Sequence, residues 1–276
     1  MNKPDIPIFD GHNDVLFRLF QAGGRDHAKS FVTGRDGHID LKKAKLGGLA
    51  GGFFAIYVPS PVDLDLKLEL MTQDKYDLPL PPAVDLSDAL PIALQQAAIL
   101  AELETLGALK ICTSVHDIKT CMQTGLMAAV MHMEGAEAID ADLYNLDIFY
   151  RAGLRSLGPV WSRPTIFGEG VPFRFPSTGD VGGGLTDHGV RLVKRCDELG
   201  IMLDMSHLNE AGFWDIAKHS TKPLVATHSN SHLLSPHARN LTDKQLAAIA
   251  ESNGMVGLNF AVAFLRADGK MLADVH

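Results

Sequence analysis

At 276 residues and 46% hydrophobic content, the chain can bury one large core or two ordinary ones, and its composition rules out a disordered protein. A formal net charge of -8, with no run of Lys or Arg set against it, argues against a nucleic-acid partner. No apolar run approaches the roughly 18 residues that span a bilayer, so no membrane partner is expected either.

In chain order, the first strand is predicted over residues 6–10. It begins too soon for a charged leader followed by an apolar segment, and a cytoplasmic location is expected. Just behind it, His12 and Asp14 stand two apart on extended chain and face the same side, as two ligands of one metal would. Because Asp10-Gly11 and Asn13-Asp14 are also turn formers, a capping pair is an equal alternative. A second strand is predicted over 52–58. Residues 59–91 then break the rhythm with four prolines between Pro79 and Pro91. Without a sustained hydrophobic period, this stretch reads as an irregular loop over the mouth of a barrel.

The strand predicted over 127–133 ends at Glu134, whose two carboxylate oxygens can bridge two cations; an exposed strand-end acid is the plainer alternative. Its neighbours compete for the role. His132 lies inside the strand and reads as a hydrogen-bonded core histidine, whereas Glu137, beyond the turn, reads as facing solvent. A strand over 154–160 leads into a second irregular loop, 161–184, carrying six glycines and three prolines. Thr186-Asp187 is a helix N-cap signal and Gly200 its stop. Strands over 201–206 and 224–228 end at His207 and His228; one strand-end histidine is usually structural, but two on adjacent strands favour coordination, with Asp204 either a carboxylate behind them or, equally, a buried hydrogen-bonded acid. In the loop that follows, His232 and His237 read as exposed or weakly structural. Arg239 reads either as a solvated loop arginine, the commoner case, or, beside a cationic metal pair, as the group that holds a substrate carboxylate bidentately. Thr242 opens a further helix, and the last strand is predicted over 255–260.

Short strands that are apolar on both faces and alternate with helices imply a parallel α/β sheet. Polar residues gathered at one end of those strands imply a TIM-type (β/α)8 barrel of the metal-dependent hydrolase type, a single domain over 1–276. Seven strands are counted where closure needs eight. Either 110–113 supplies an irregular eighth or the chain lacks its last strand, and the second is expected, giving a C-terminally incomplete barrel. Cys112, Cys121 and Cys196 lack metal spacing and read as buried thiols. Three imidazoles and two carboxylates at strand ends point to metal-assisted hydrolysis.

These residues resemble the membrane dipeptidase (renal dipeptidase) family, the M19 metallopeptidases. The resemblance rests on Phe9-Asp-Gly-His-Asn-Asp14, Met133-Glu-Gly135 with Ala138-Ile-Asp140, Asp204-Met-Ser-His207, Thr227-His-Ser229, Ala238-Arg-Asn240 and Gly257-Leu-Asn-Phe260. It covers essentially the whole chain. It implies two Zn2+ ions per chain, with the position of Glu134 as the catalytic bridging ligand, those of His12 and Asp14 completing one site, and those of His207 and His228 the other. It further implies that Arg239 binds the terminal carboxylate of a dipeptide, often one tolerating a D-residue at its C-terminal position. A metal-bridging hydroxide would attack the peptide carbon.

Two departures from the family pattern stand out. A Gly-Ser-Asp-Phe-Asp segment on the last barrel strand is not found in this sequence, and Trp161 occupies a position where mammalian-type members have a substrate-contacting histidine. The resemblance therefore leaves three expectations: a zinc dipeptidase acting on small dipeptides, with a homodimer compatible; a binuclear hydrolase of N-acyl amino acids, small amides or lactams; or an inactive metal-binding fragment or homologue.

Overall fold

A computed structural model describes residues 6–61 and 69–271. Residues 62–68, within the predicted loop 59–91, and the two chain ends lie outside the described residues. The strands in chain order are β1 (Ile8–Asn13), β2 (Leu49–Tyr57), β3 (Tyr76–Leu78), β4 (Leu109–Ile111), β5 (Met127–Glu134), β6 (Leu154–Gly158), β7 (Phe173–Phe175), β8 (Met202–Leu203), β9 (Val225–Ala226) and β10 (Met255–Val256). All seven strands read from the sequence are present.

β1, β2, β5, β6 and β8 run side by side as a parallel sheet, with β4 also paired to β5. A parallel bridge from Asp204 to Val225 carries the curl onward to the β9–β10 pair. The architecture is a partial (β/α)8 barrel. Among the described residues no pairing joins β10 to β1.

The register explains what became of the predicted eighth strand. β2 occupies one edge of β5 from Ala128 to Glu134. The other edge is divided: β4 pairs with Met127–Ala129 and β6 with Met131–Glu134. Thus 110–113 does contain a strand, but a short one that shares its edge with β6 instead of standing as a full stave. β5, inside the sheet, is buried at every residue, as a strand covered on both faces must be. His132, its one polar interior residue, is fully buried and bonds Ser156 through Nδ1 at 2.9 Å, the core histidine expected.

Local signals place the helices between strands. Thr186 accepts from the Gly189 N–H at the start of the helix Asp187–Leu199, and Gly200 closes it at φ 73. Thr242 and Gln245 form a capping box ahead of Asp243–Glu251. The helix Leu86–Thr105 sends Gln96 to the end of β2, where its carboxamide bonds both the N–H and the carbonyl of Tyr57.

The two proline- and glycine-rich stretches are joined to each other. β3, from the first, pairs antiparallel with β7, from the second. Tyr76, Leu78 and Phe175 then build a small second core with Met71, Ala263 and Phe264. Among the described residues no helix is long and apolar enough to cross a membrane.

Candidate metal centre

The C-terminal ends of β1, β5, β8 and β9 converge. His207 Nε2 lies 3.1 Å from His228 Nε2 and 3.1 Å from Glu134 Oε1, and His228 Nε2 lies 3.3 Å from the same oxygen. The other oxygen, Oε2, faces His12 Nε2 at 3.7 Å, and His12 Nε2 lies 3.4 Å from Asp14 Oδ1. One carboxylate therefore divides its oxygens between two groups of donors. His207 reaches its place through a backbone at φ 67, a left-handed conformation that costs a non-glycine residue roughly 1–3 kcal/mol.

These separations suit a cation. Four ligands at roughly 2.0 Å from a zinc-like ion stand about 3.3 Å apart along a tetrahedron's edges. Atoms that bear lone pairs and crowd this closely repel one another unless a proton or a metal lies between them. Candidate ligand atoms of His12, Glu134 and His228 all fall within 4.8 Å of one another, so the two groups adjoin.

Electrostatics reflect the same crowding. Burial alone would raise the Glu134 carboxyl, but His12 and hydrogen bonds from His207 and His228 hold it well below the usual range. Burial opposes charge on His12 too, yet Glu134 and Asp14 push it up to about 10. Burial and then Arg239 bring His207 down to about 4. His228 falls well below its ordinary value through burial and the charge on His12. His207 and His228 are thus neutral beside an ionised Glu134, the protonation state that a divalent metal requires, whereas His12, held as a cation by Glu134 and Asp14, would release its proton to bind one.

Around this centre, Arg239 is buried; its Nη1 donates to Ser229 Oγ and its Nη2 to the His228 carbonyl, both at 3.1 Å, and its Nε has no bond. Trp161 is buried with its ring 5.6 Å from that of His207, flanked by Tyr57 and Phe173. Beyond it lies a narrow crevice lined by Leu78, Pro79, Trp161, Ser162 and Phe173 among others. Asp14 is the one exposed member of the set.

Two sequence expectations are corrected. Glu137 does not face solvent: it is buried against the fully buried Arg163, whose Nη2 donates to Oε1 at 2.7 Å. His237 is likewise fully buried, within a ring of Tyr76, Phe173, Phe175 and Phe264. A third environment went unforeseen. The hydroxyls of Ser162 and Thr227 each meet Nδ1 of a site histidine, His207 and His228 respectively, at 2.8 Å.

Fold and site together define a metal-binding hydrolase of the barrel type. The family model for membrane dipeptidase (peptidase family M19) matches residues 3–275, and the chain belongs to that family; it is a hydrolase of the metallopeptidase class. A metallo peptidase from Rhodobacter sphaeroides, solved with a phosphinate mimic of the dipeptide L-Ala-D-Ala, superposes with TM-score 0.95 at 52% identity, covering 100% of this chain and 79% of its own. A second solved structure, the metallo peptidase dipeptidase AC, gives TM-score 0.94 at 53% identity over 98% of this chain and 78% of its own. An uncharacterised protein from the PQQ-III 3' region of Acinetobacter calcoaceticus is 45% identical over 99% of this chain and 86% of its own length.

Proposed function

We propose that this M19 family dipeptidase is zinc-dependent and hydrolyses small dipeptides, including those with a C-terminal D-residue, at a two-ion centre. The observation that carries this reading is the division of Glu134 between the His207–His228 pair and His12. On this reading His12 and Asp14 would hold one ion, His207 and His228 the other, and Glu134 would be shared between them. When bound, the ions supply an activated water nucleophile at neutral pH and polarise the scissile carbonyl. The D-residue preference rests on the L-Ala-D-Ala mimic held by the Rhodobacter relative.

The chain's own residues do the rest. The Nε–H of Arg239 is unbonded beside His228, and the guanidinium anchors the substrate's free carboxylate so that the peptide carbonyl is presented to the centre. Trp161 and Phe173 form an apolar wall against His207 that excludes bulk water on that side, where polar attractions are then stronger. The crevice beside them, lined by proline, leucine and aromatic side chains, extends this apolar wall.

Metal content of Glu134→Gln, read by mass spectrometry beside dipeptide hydrolysis by the parent, tests the assignment. Loss of both ions or of most affinity for the pair is expected. A variant that retains two ions per chain would show that Glu134 is not their shared ligand.

A further inference from the structure

Counting protons around Asp204 separates the two imidazoles of the His207–His228 pair. Asp204 is buried at the end of β8. Its Oδ1 accepts from the backbone N–H of Ser206 at 3.0 Å and of Thr227 at 2.8 Å. Its Oδ2 lies 2.6 Å from Thr227 Oγ1, a length typical of a hydroxyl donating to a carboxylate. Thr227 Oγ1 also lies 2.8 Å from His228 Nδ1. A threonine hydroxyl has one proton, and here that proton points at Asp204. The bond to His228 must then be donated by the ring: Nδ1 carries the hydrogen, and Nε2 presents its lone pair to Glu134 and His207.

His207 has no such constraint. Its Nδ1 meets Ser162 Oγ at 2.8 Å, and among the described residues that hydroxyl has no carboxylate behind it. It can donate or accept, so either tautomer of His207 is satisfied. The third neighbour of Asp204, His132 Nε2, stands 3.5 Å from Oδ2 and makes no hydrogen bond; it does not compete for the Thr227 proton.

We propose that Thr227 and Asp204 are positioning residues, which hold His228 in its Nδ1–H tautomer and thereby set the ion affinity of the His207–His228 side of the centre. The inference rests on the reading of His228 as a ligand. It goes further in assigning the orientation of that ligand to a hydroxyl relay not evident from the ligand set. A carboxylate that acts through a hydroxyl also makes the ring a better electron donor, because negative charge behind Nδ1–H raises the basicity of Nε2.

The test titrates metal-free protein with Zn2+ against a chromophoric chelator, with stoichiometry by mass spectrometry and melting curves to confirm folding. Thr227→Val keeps the shape and removes the hydroxyl; it should weaken one ion of the pair about 10- to 100-fold. Thr227→Ser restores the hydroxyl and should stay within about threefold of the parent. Asp204→Asn asks the same question should the valine variant fold poorly. Its Oδ1 keeps both backbone bonds while Nδ2 donates to Thr227, which turns the hydroxyl's proton towards His228 and favours the wrong tautomer. It too should weaken the same ion.

Parental affinity in a folded Thr227→Val or Asp204→Asn would overturn the relay, as would equal weakening in the valine and serine variants. His228→Ala separates this failure from a deeper one. If it loses an ion while Thr227→Val keeps both, the ligand assignment stands and the relay falls; if it also keeps both ions, the ligand assignment itself is wrong.

Discussion

Gly11 on β1 packs directly against the carbonyl of Thr227 at the end of β9: a Cβ built on Gly11 would lie 2.0 Å from that oxygen. The contact explains why glycine precedes His12, since only a residue without a side chain lets β1 approach closely enough to bring the His12 ring within 4.2 Å of the His228 ring. Gly257, beyond β10, meets the same carbonyl from its own strand, with a Cβ at 1.8 Å.

Gly11→Ala must therefore move backbone, and it should cost about 1–3 kcal/mol. A melting temperature several degrees lower is expected, together with weakened binding of the ion assigned to His12 and Asp14. Gly47→Ala serves as the control, because a Cβ there meets nothing within 4 Å. Equal behaviour of the two variants would show that the close approach of β1 does not govern the site.

Arg163 spans from the second irregular stretch to Glu137 and also donates to Ser60 Oγ and the Val58 carbonyl. Removing it leaves a buried carboxylate without compensation, so Arg163→Met should cost roughly 3–5 kcal/mol in denaturant melts. Adding Glu137→Gln removes the stranded charge and should recover a large part of that loss. A double variant no more stable than Arg163→Met alone would mean that packing, not charge, sets the cost.

That His12, Glu134, His207 and His228 converge is legible because each stands at the end of an apolar strand, and a barrel gathers strand ends whatever the intervening chain does. Glu137 is not legible as buried because an acid just past a strand and a glycine is ordinarily solvated; its cation lies 26 residues away, and no local pattern links them. His237 was misplaced for a similar reason, since Tyr76 and Phe173, which pack around it, lie on β3 and β7. Two three-residue strands so distant in sequence carry no periodic signal. β4 was visible only as an irregular candidate, because a strand that shares one edge of β5 needs only a short apolar run.

Arg239→Ala removes a charged group that is bonded to the His228 carbonyl and Ser229, so some stability will be lost along with any substrate contact. The two effects separate kinetically. KM for free dipeptides should rise by about 10-fold or more, as expected from losing a charge-assisted contact of roughly 1.5–3 kcal/mol, while C-terminally amidated dipeptides should be affected far less. Equal damage on both substrate forms would assign Arg239 a structural role only.

His237 is not among the candidate ligands. Its Nδ1 accepts from the Arg239 N–H at 3.0 Å, so Nε2 holds the proton, and that atom has no hydrogen-bond partner in its aromatic surroundings. Burial first, and then the charge of Arg239, brings its pKa down from 6.5 to about 3. As pH falls through about 6.5 the unfolded chain takes up a proton on this ring, whereas the folded chain refuses it until about pH 3. Each unit of that difference is worth about 1.4 kcal/mol. Stability contributed by the neutral ring is therefore complete above pH 6.5, declines steadily across the acid window, and levels off below pH 3. His237→Phe cannot titrate and keeps an aromatic ring against Phe264, though it forfeits the acceptor for the Arg239 N–H. It should be less stable than the parent at neutral pH by about 1–3 kcal/mol, and the gap should narrow as the solution is acidified, then close or reverse. Unfolding free energies of metal-free parent and variant between pH 7.5 and roughly pH 3 measure this directly: two parallel curves would mean that His237 gains no proton on unfolding.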